Sequence, residues 1–262
     1  MSRNFRRGLA LVAALGTLAH AQAGGIAFDS QPGENSVAFT SMVGKLGGAV
    51  TTVLDFETHP LGPLQAGHHA AQGVTMTLVG SNFSFNGVYN YRNDYGGSVS
   101  GYGPNSSGEG VAAESRAFGA FSPNQPWSLV LDFDRPVLGA GLYVIDLFNG
   151  LGNRRTTLAA YSGAGGSGTL LATATAPDFN YQLYNQLFLG VATDTAVPAI
   201  RSVVFTNPVP YAGDGIALDN IRIATAVPEP ASAGLLALGL AGLLAGGRPG
   251  RPSRSIRSSC RP

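Results

Sequence analysis

The residues able to do chemistry are few, and most sit in turn-rich sequence. His59, His68 and His69 cluster in "ETHPLGPLQAGHHAAQG" (57–73), a segment rich in Pro and Gly. A metal site needs a fixed scaffold as well as ligand spacing, and such a loop predicts none, so no metal is assigned to the histidines. Glu109 and Glu114 are close enough in sequence to suggest the carboxylate pair of a glycosidase, but their Gly/Ser-rich surroundings predict solvated loop acids. Asp132 and Asp134 in "LDFDRP" share one strand face, with Arg135 as a partner for one of them, and read as a surface feature. The chain contains no G-x-S-x-G elbow, no phosphate loop and no H-E-x-x-H. No catalytic residue is assigned, and the expectation is a protein that is not an enzyme. The most distinctive polar stretch runs from Asn82 to Gly110, where Tyr89, Tyr91, Tyr95 and Tyr102 alternate with Asn, Ser and Gly. Tyrosine offers a rigid flat face with a polar tip, and Asn and Ser adapt their hydrogen bonds. That chemistry suits sugars, and these four tyrosines are the candidate ligand-binding residues.

The elements that must position such groups read as strands. The 262 residues include 37 glycines, and only 12% are charged. Short β-branched or aromatic stretches recur at 51–57, 73–80, 127–134, 139–148, 156–162, 168–176, 186–193, 199–206 and 215–224. Turn signals separate them, among them Arg135-Pro136, Asn149-Gly150 and Asn207-Pro208. No run sustains a helical period. The pattern predicts an all-β domain over 24–226, an antiparallel two-sheet sandwich of jelly-roll type with nine or ten strands. Residues 24–48 read as a leader strand or a loose segment, and Trp127 reads as core.

Charge is unevenly placed. Residues 24–226 hold eight basic and fourteen acidic residues, a net of −6, between two basic ends. An acidic body argues against nucleic acid as a partner, since phosphate binding needs a basic surface. The one cysteine, Cys260, lies outside the body, so no disulfide can staple it. Arg3, Arg6 and Arg7, the apolar run "GLALVAALGTLA" (8–19) and two A-x-A sites predict a signal peptide over 1–23, read by the Sec translocon and signal peptidase. At the other end, Ala231–Gly247 is free of charge. As a helix it would be roughly 25 Å long, the lower edge of a membrane span. Arg248, Arg251, Arg254 and Arg257 follow and would hold that end in the cytoplasm.

Val227-Pro228-Glu229-Pro230, the apolar helix and the arginine-rich end together resemble the PEP-CTERM sorting signal of Gram-negative bacteria, over 227–262. The same kind of segment is also known as the ice-binding-protein C-terminal domain, a name that describes the tail alone. The resemblance implies an exosortase in the inner membrane that recognises the motif and cleaves near it, followed by delivery to the cell surface or the extracellular matrix. The two prolines keep the motif extended and accessible. A second resemblance lies at the edges of the body. "VLDFE" (53–57) and "GDGIALDNIRI" (213–223) look like the first and last strands of MAM-like and carbohydrate-binding-module-like jelly rolls. That resemblance implies neighbouring first and last strands and a structural calcium, with Glu57 and Asp219 as ligands and Asp55 as a third. An acid on an otherwise apolar strand is costly unless paired or metal-bound, and strand-end carbonyls can complete an oxygen shell. No cofactor is otherwise required.

Together these readings predict an exported envelope or matrix protein, anchored in the inner membrane and facing the periplasm before processing, that binds exopolysaccharide. The alternatives are a carbohydrate-active or other hydrolytic enzyme on the same fold, and a purely structural matrix or adhesion component.

Overall fold

The computed structural model describes residues 25–28, 35–90, 116–122, 125–145, 156–176, 186–208 and 216–227. The segment 1–23 read above as a signal peptide, residues 228–262 and Tyr91, Tyr95 and Tyr102 lie outside them. Two antiparallel sheets account for the described strands. The larger contains β1 (Gly25–Phe28), β2 (Gly48–Leu54), β4 (Phe85–Asn90), β5 (Arg116–Phe121), β7 (Gly139–Ile145), β10 (Gln186–Thr193) and β12 (Ile216–Ala226). Its order is β1-β10-β7-β12-β5-β4, and β2 also pairs with β12. The smaller contains β3 (Val74–Val79), β6 (Trp127–Val137), β8 (Thr157–Tyr161), β9 (Leu170–Thr175) and β11 (Ile200–Asn207), ordered β3-β6-β11-β8-β9. From β5 onward the chain crosses repeatedly between the sheets, which makes the sandwich a jelly roll.

Every strand expected from the sequence is present. The described residues hold twelve strands against the nine or ten expected; β4 and β5 have no counterpart in the sequence reading, and β1 falls in the segment read as a leader strand or a loose segment. The reading of 24–48 is corrected as well. Gly25–Phe28 is a strand, but Asn35–Lys45 is a helix, α1. Among the described residues no helix is long and apolar enough to cross a membrane.

The main core fills the space between the sheets and includes Phe56, Trp127, Leu131, Leu142 and Phe205, all buried. Alternation on β6 and β11 puts Trp127, Leu131 and Phe205 inward. Trp127 is therefore a core residue, as the sequence suggested. Strand β7 breaks the alternation, since all seven of its residues are buried. Its outer face carries a second core in which Phe39 and Val43 of α1 pack with Phe28, Tyr143 and Phe188. Phe39 and Val43 are four residues apart and so share one face of the helix. Both faces of β7 are thus dry, and "GAGLYVI" reads as a continuous apolar run.

Candidate functional site

Strand β12 serves two neighbours along one edge. Its first half, Ile216–Leu218, pairs with β5, and Ile221–Ala226 pairs with β2. Asp219 and Asn220 fall in the notch between them. On the opposite edge Asp219 faces Tyr143 while Arg222 faces Gly141, so β12 carries an extra residue there. Asn220 takes φ of 46°, a left-handed conformation that Asn tolerates. This is a β-bulge, a device that re-aims side chains.

Into the notch runs the chain leaving β2. Phe56 is buried at positive φ, and Asp55 accepts a hydrogen bond from the Glu57 backbone at 3.1 Å. Glu57 accepts one from the Arg116 backbone at 2.9 Å, and the Arg116 guanidinium donates to the His59 carbonyl at 2.7 Å. Residues 57–59 are therefore pinned to the start of β5. The Asp219 carboxylate accepts the Asn220 N–H at 2.6 Å. It is only 2% exposed. Burial pushes its pKa up to about 8, and the negative charges of Glu57 and Asp55 add to the rise. The three acids named by the sequence are thus near enough to feel one another. Their oxygen chemistry fits calcium, and the uncompensated burial of Asp219 is what a cation would relieve. Yet among the described residues no three or more His, Cys, Asp or Glu side chains form a metal-holding group. Any calcium would need further oxygens, such as backbone carbonyls.

Beside the acids, the structure assembles something the sequence reading dismissed. The rings of His59, His68 and His69 come together, with centroids 4.4 Å, 4.9 Å and 6.1 Å apart. The segment is a fixed scaffold after all, and its Pro/Gly content concealed this. Gly62 and Val88 exchange two backbone hydrogen bonds of 2.8 Å that tie the segment to β4, and the buried Phe56 ring packs on His59 and His69. His59 is satisfied at both nitrogens, by the Pro60 carbonyl and the Gln65 N–H. His69 is 4% exposed, and neither ring nitrogen has a hydrogen-bond partner. Burial, reinforced by the other two histidines, lowers its pKa to about 4. His69 is therefore held neutral at pH 7, and burial lowers the pKa of His59 as well. Arg116 was missed as well, because its role depends on strand pairing across 57 and 59 residues of sequence.

One expected outcome follows from the tie between Gly62 and Val88. Gly87 lies at φ of 146°, and a Cβ there would run into the Gly62 carbonyl. Gly87→Ala should cost about 1–3 kcal/mol and release the histidine segment. Hydrogen exchange at the Val88 and Gly62 amides checks it. Unchanged protection of both would show that the tie does not hold the segment.

Of the four candidate ligand-binding tyrosines, Tyr89 alone falls among the described residues. It lies on β4, is 7% exposed and belongs to the second core. A ring so buried is packing, so Tyr89 is withdrawn from the stacking set. Val227 follows β12 and donates its N–H to the Gly47 carbonyl at 3.1 Å. Pro228, Glu229, Pro230 and the tail arginines lie outside the described residues.

No family model matches the chain and no curated protein matches it. Among solved structures it is similar to the K3 cleaved adhesin domain of Lys-gingipain from Porphyromonas gingivalis, at 13% identity and TM-score 0.36, over 68% of this chain and 99% of that one. It is similar to TmCBM61, solved in complex with β-1,4-galactotriose, at 12% identity and TM-score 0.34, over 64% and 92%. A third is the enzymatically active domain of tailspike protein 4 of bacteriophage CBA120, at 16% identity and TM-score 0.35, over 63% of this chain and 21% of that one.

Proposed function

We propose that the chain is an exported, non-enzymatic β-sandwich that is delivered to the envelope or extracellular matrix through a PEP-CTERM sorting signal and binds polysaccharide there. The observation that carries the reading is where the body's two ends emerge. Gly25 pairs with Thr193, Ala192 with Gly139, Gly139 with Ala224, and Ala226 with Gly48. The start of β1 and the end of β12 therefore share one rim of the sandwich. Ends on one rim suit a body threaded across a single bilayer by a signal at each end. The exit is also short. Pro228, Glu229 and Pro230 separate the last paired region from the apolar run at Ala231, a reach of about 10 Å when extended. In this reading the rim sits at the membrane surface until an exosortase-type enzyme cuts the tail, and Asp55, Glu57 and Asp219 hold a structural calcium.

The expected result is a protein in the culture medium whose intact mass ends near Pro228–Pro230, when the full chain is made in a Gram-negative host that carries an exosortase. A protein found only in membranes and retaining Cys260 would overturn the sorting step.

A further inference from the structure

A pocket of about 340 Å³ opens between the two sheets, where the β2–β12 pair of the larger meets β3 and β6 of the smaller. The 3-10 turn Ala70–Gln72 lines one side of it. Its charged lining is Asp134 and Arg135, from the "LDFDRP" stretch that reads from sequence as a surface feature. The expected pairing of Arg135 with one of the two aspartates is not formed. The Asp132 carboxylate accepts the Gly165 N–H instead, and the Asp134 backbone carbonyl accepts a hydrogen bond from the Arg201 guanidinium at 2.6 Å. Among the described residues, the Asp134 carboxylate and the Arg135 guanidinium make no hydrogen bond or ion pair. Backbone contacts fix their place. The Asp134 N–H donates to the Gly73 carbonyl at 2.9 Å, one step beyond the Val74–Phe133 pair of the β3–β6 ladder. A Cβ on Gly73 would stand 3.7 Å from the Asp134 Oδ2, so the carboxylate lies against the glycine that ends the turn.

We propose that this pocket binds one neutral hexose unit of a polysaccharide, with Asp134 and Arg135 holding two adjacent hydroxyls of the ring. The proposal deepens the polysaccharide reading above and rests on it. An ionised carboxylate only accepts hydrogen bonds, and a guanidinium only donates them. A hydroxyl does both, so a vicinal diol satisfies the two together. One hydroxyl donates to Asp134 and its neighbour accepts from Arg135, each in a charge-assisted bond. The two charges cancel, so the pocket has no net charge with which to select an anionic unit. The Gln72 amide and the Thr52 hydroxyl also line the pocket, and each can donate and accept. The Thr225 hydroxyl donates to that of Thr51 at 3.2 Å and keeps lone pairs for a ligand. Ala70 and Ala71 are exposed and give the C–H face of a ring an apolar wall. A small zwitterion would satisfy the two charges and leave these further groups unused. An apolar ligand would bury both charges unpaired. The volume is at the small end of ligand sites, roughly 300–1,000 Å³, which suits one ring of a chain that continues outside.

The test uses the full-length protein in micelles of a polyoxyethylene detergent, which carries no sugar. Dextran, galactan and mannan are the neutral probes, and polygalacturonate is the charged one. Binding to at least one neutral polymer is expected, with little dependence on salt, because no net charge is exchanged. Periodate cleavage of that polymer's diols, followed by borohydride reduction, should abolish it. Asp134→Asn and Arg135→Gln should each weaken it about tenfold, the scale of one charge-assisted contact. Both side chains are exposed, so the melting temperature should stay at the wild-type value and the loss belongs to the site. Wild-type binding by both variants would overturn the pocket as the site while leaving polysaccharide binding in place elsewhere. Full binding of the periodate-cleaved polymer would overturn the role of the diol. Tighter binding of polygalacturonate than of every neutral polymer would overturn the choice of a neutral unit. Binding of none of the neutral polymers would overturn the pocket, and if the host's own exopolysaccharide is not bound either, the polysaccharide reading falls with it.

Discussion

In chelator-treated protein the stability should fall as pH is raised from 6.5 to 8, and Asp219→Asn should remove that fall. The cause is the buried carboxyl in the notch of β12. Its pKa stands at about 8 in the folded protein, against 3.8 as an ordinary side chain. The folded state therefore keeps a proton that the unfolded chain has already released. The stability from that proton is complete below pH 3.8 and drains away as pH climbs to about 8, at about 1.4 kcal/mol per unit. His69 works in the opposite sense. Its pKa is lowered from 6.5 to about 4, so its share is complete above 6.5 and is lost as pH falls from there toward 4. Between pH 4 and 6.5 the two slopes oppose each other. Above 6.5 His69 is neutral in both states, and Asp219 leaves a loss of about 2 kcal/mol by pH 8. Denaturant unfolding at pH 6.5 and 8 measures it. A variant with the wild-type slope would place the titration elsewhere.

Calcium reverses this expectation, which is what makes the pair of measurements decisive for the metal. A cation in the notch needs Asp219 ionised, so binding competes with the proton and gains strength as pH rises. Added calcium should raise the melting temperature more at pH 8 than at pH 6.5, and Asp219→Asn should lose most of the gain. If calcium and chelator leave the melting temperature at pH 8 unchanged, Asp55, Glu57 and Asp219 are an acid cluster without a metal.

Much of this notch was legible in the sequence, but through composition and not through spacing. An acid in "GIALDNIRI" stands out because the strand around it is apolar, and Asp219 is the buried acid the pattern suggests. The sandwich was legible for a similar reason, since β6 and β11 alternate and Gly, Pro and Asn mark the turns. What stayed hidden depends on contacts between distant segments. "FNGVYN" and "RAFGAF" lack a run of β-branched residues, and β4 and β5 exist by pairing with each other and with β12. The histidine cluster is built by the tie between Gly62 and Val88, which local sequence does not announce. Arg222 is not singled out by the sequence, because the rings beneath it come from β7 and β10.

Helix α1 is the extreme case, and it leads to the largest single packing effect expected. "NSVAFTSMVGK" holds Ser, Thr, Val and Gly, all weak helix formers, and eleven residues are too few for a helix to persist alone in water. The helix must owe its existence to what it docks on. Phe39 is fully buried and meets Phe28 edge to face and Phe188 at a tilt, each with centroids 5.6 Å apart. Phe39→Ala removes the anchor, and a buried Phe truncated in this way costs about 3–5 kcal/mol. With so little intrinsic propensity, the helix should melt as the anchor is lost. Unfolding by denaturant should report the cost, and amide exchange over 39–45 should show the melting, while the β6–β11 pairing keeps its protection. Retained helix protection in Phe39→Ala would mean that α1 is held by something other than the second core.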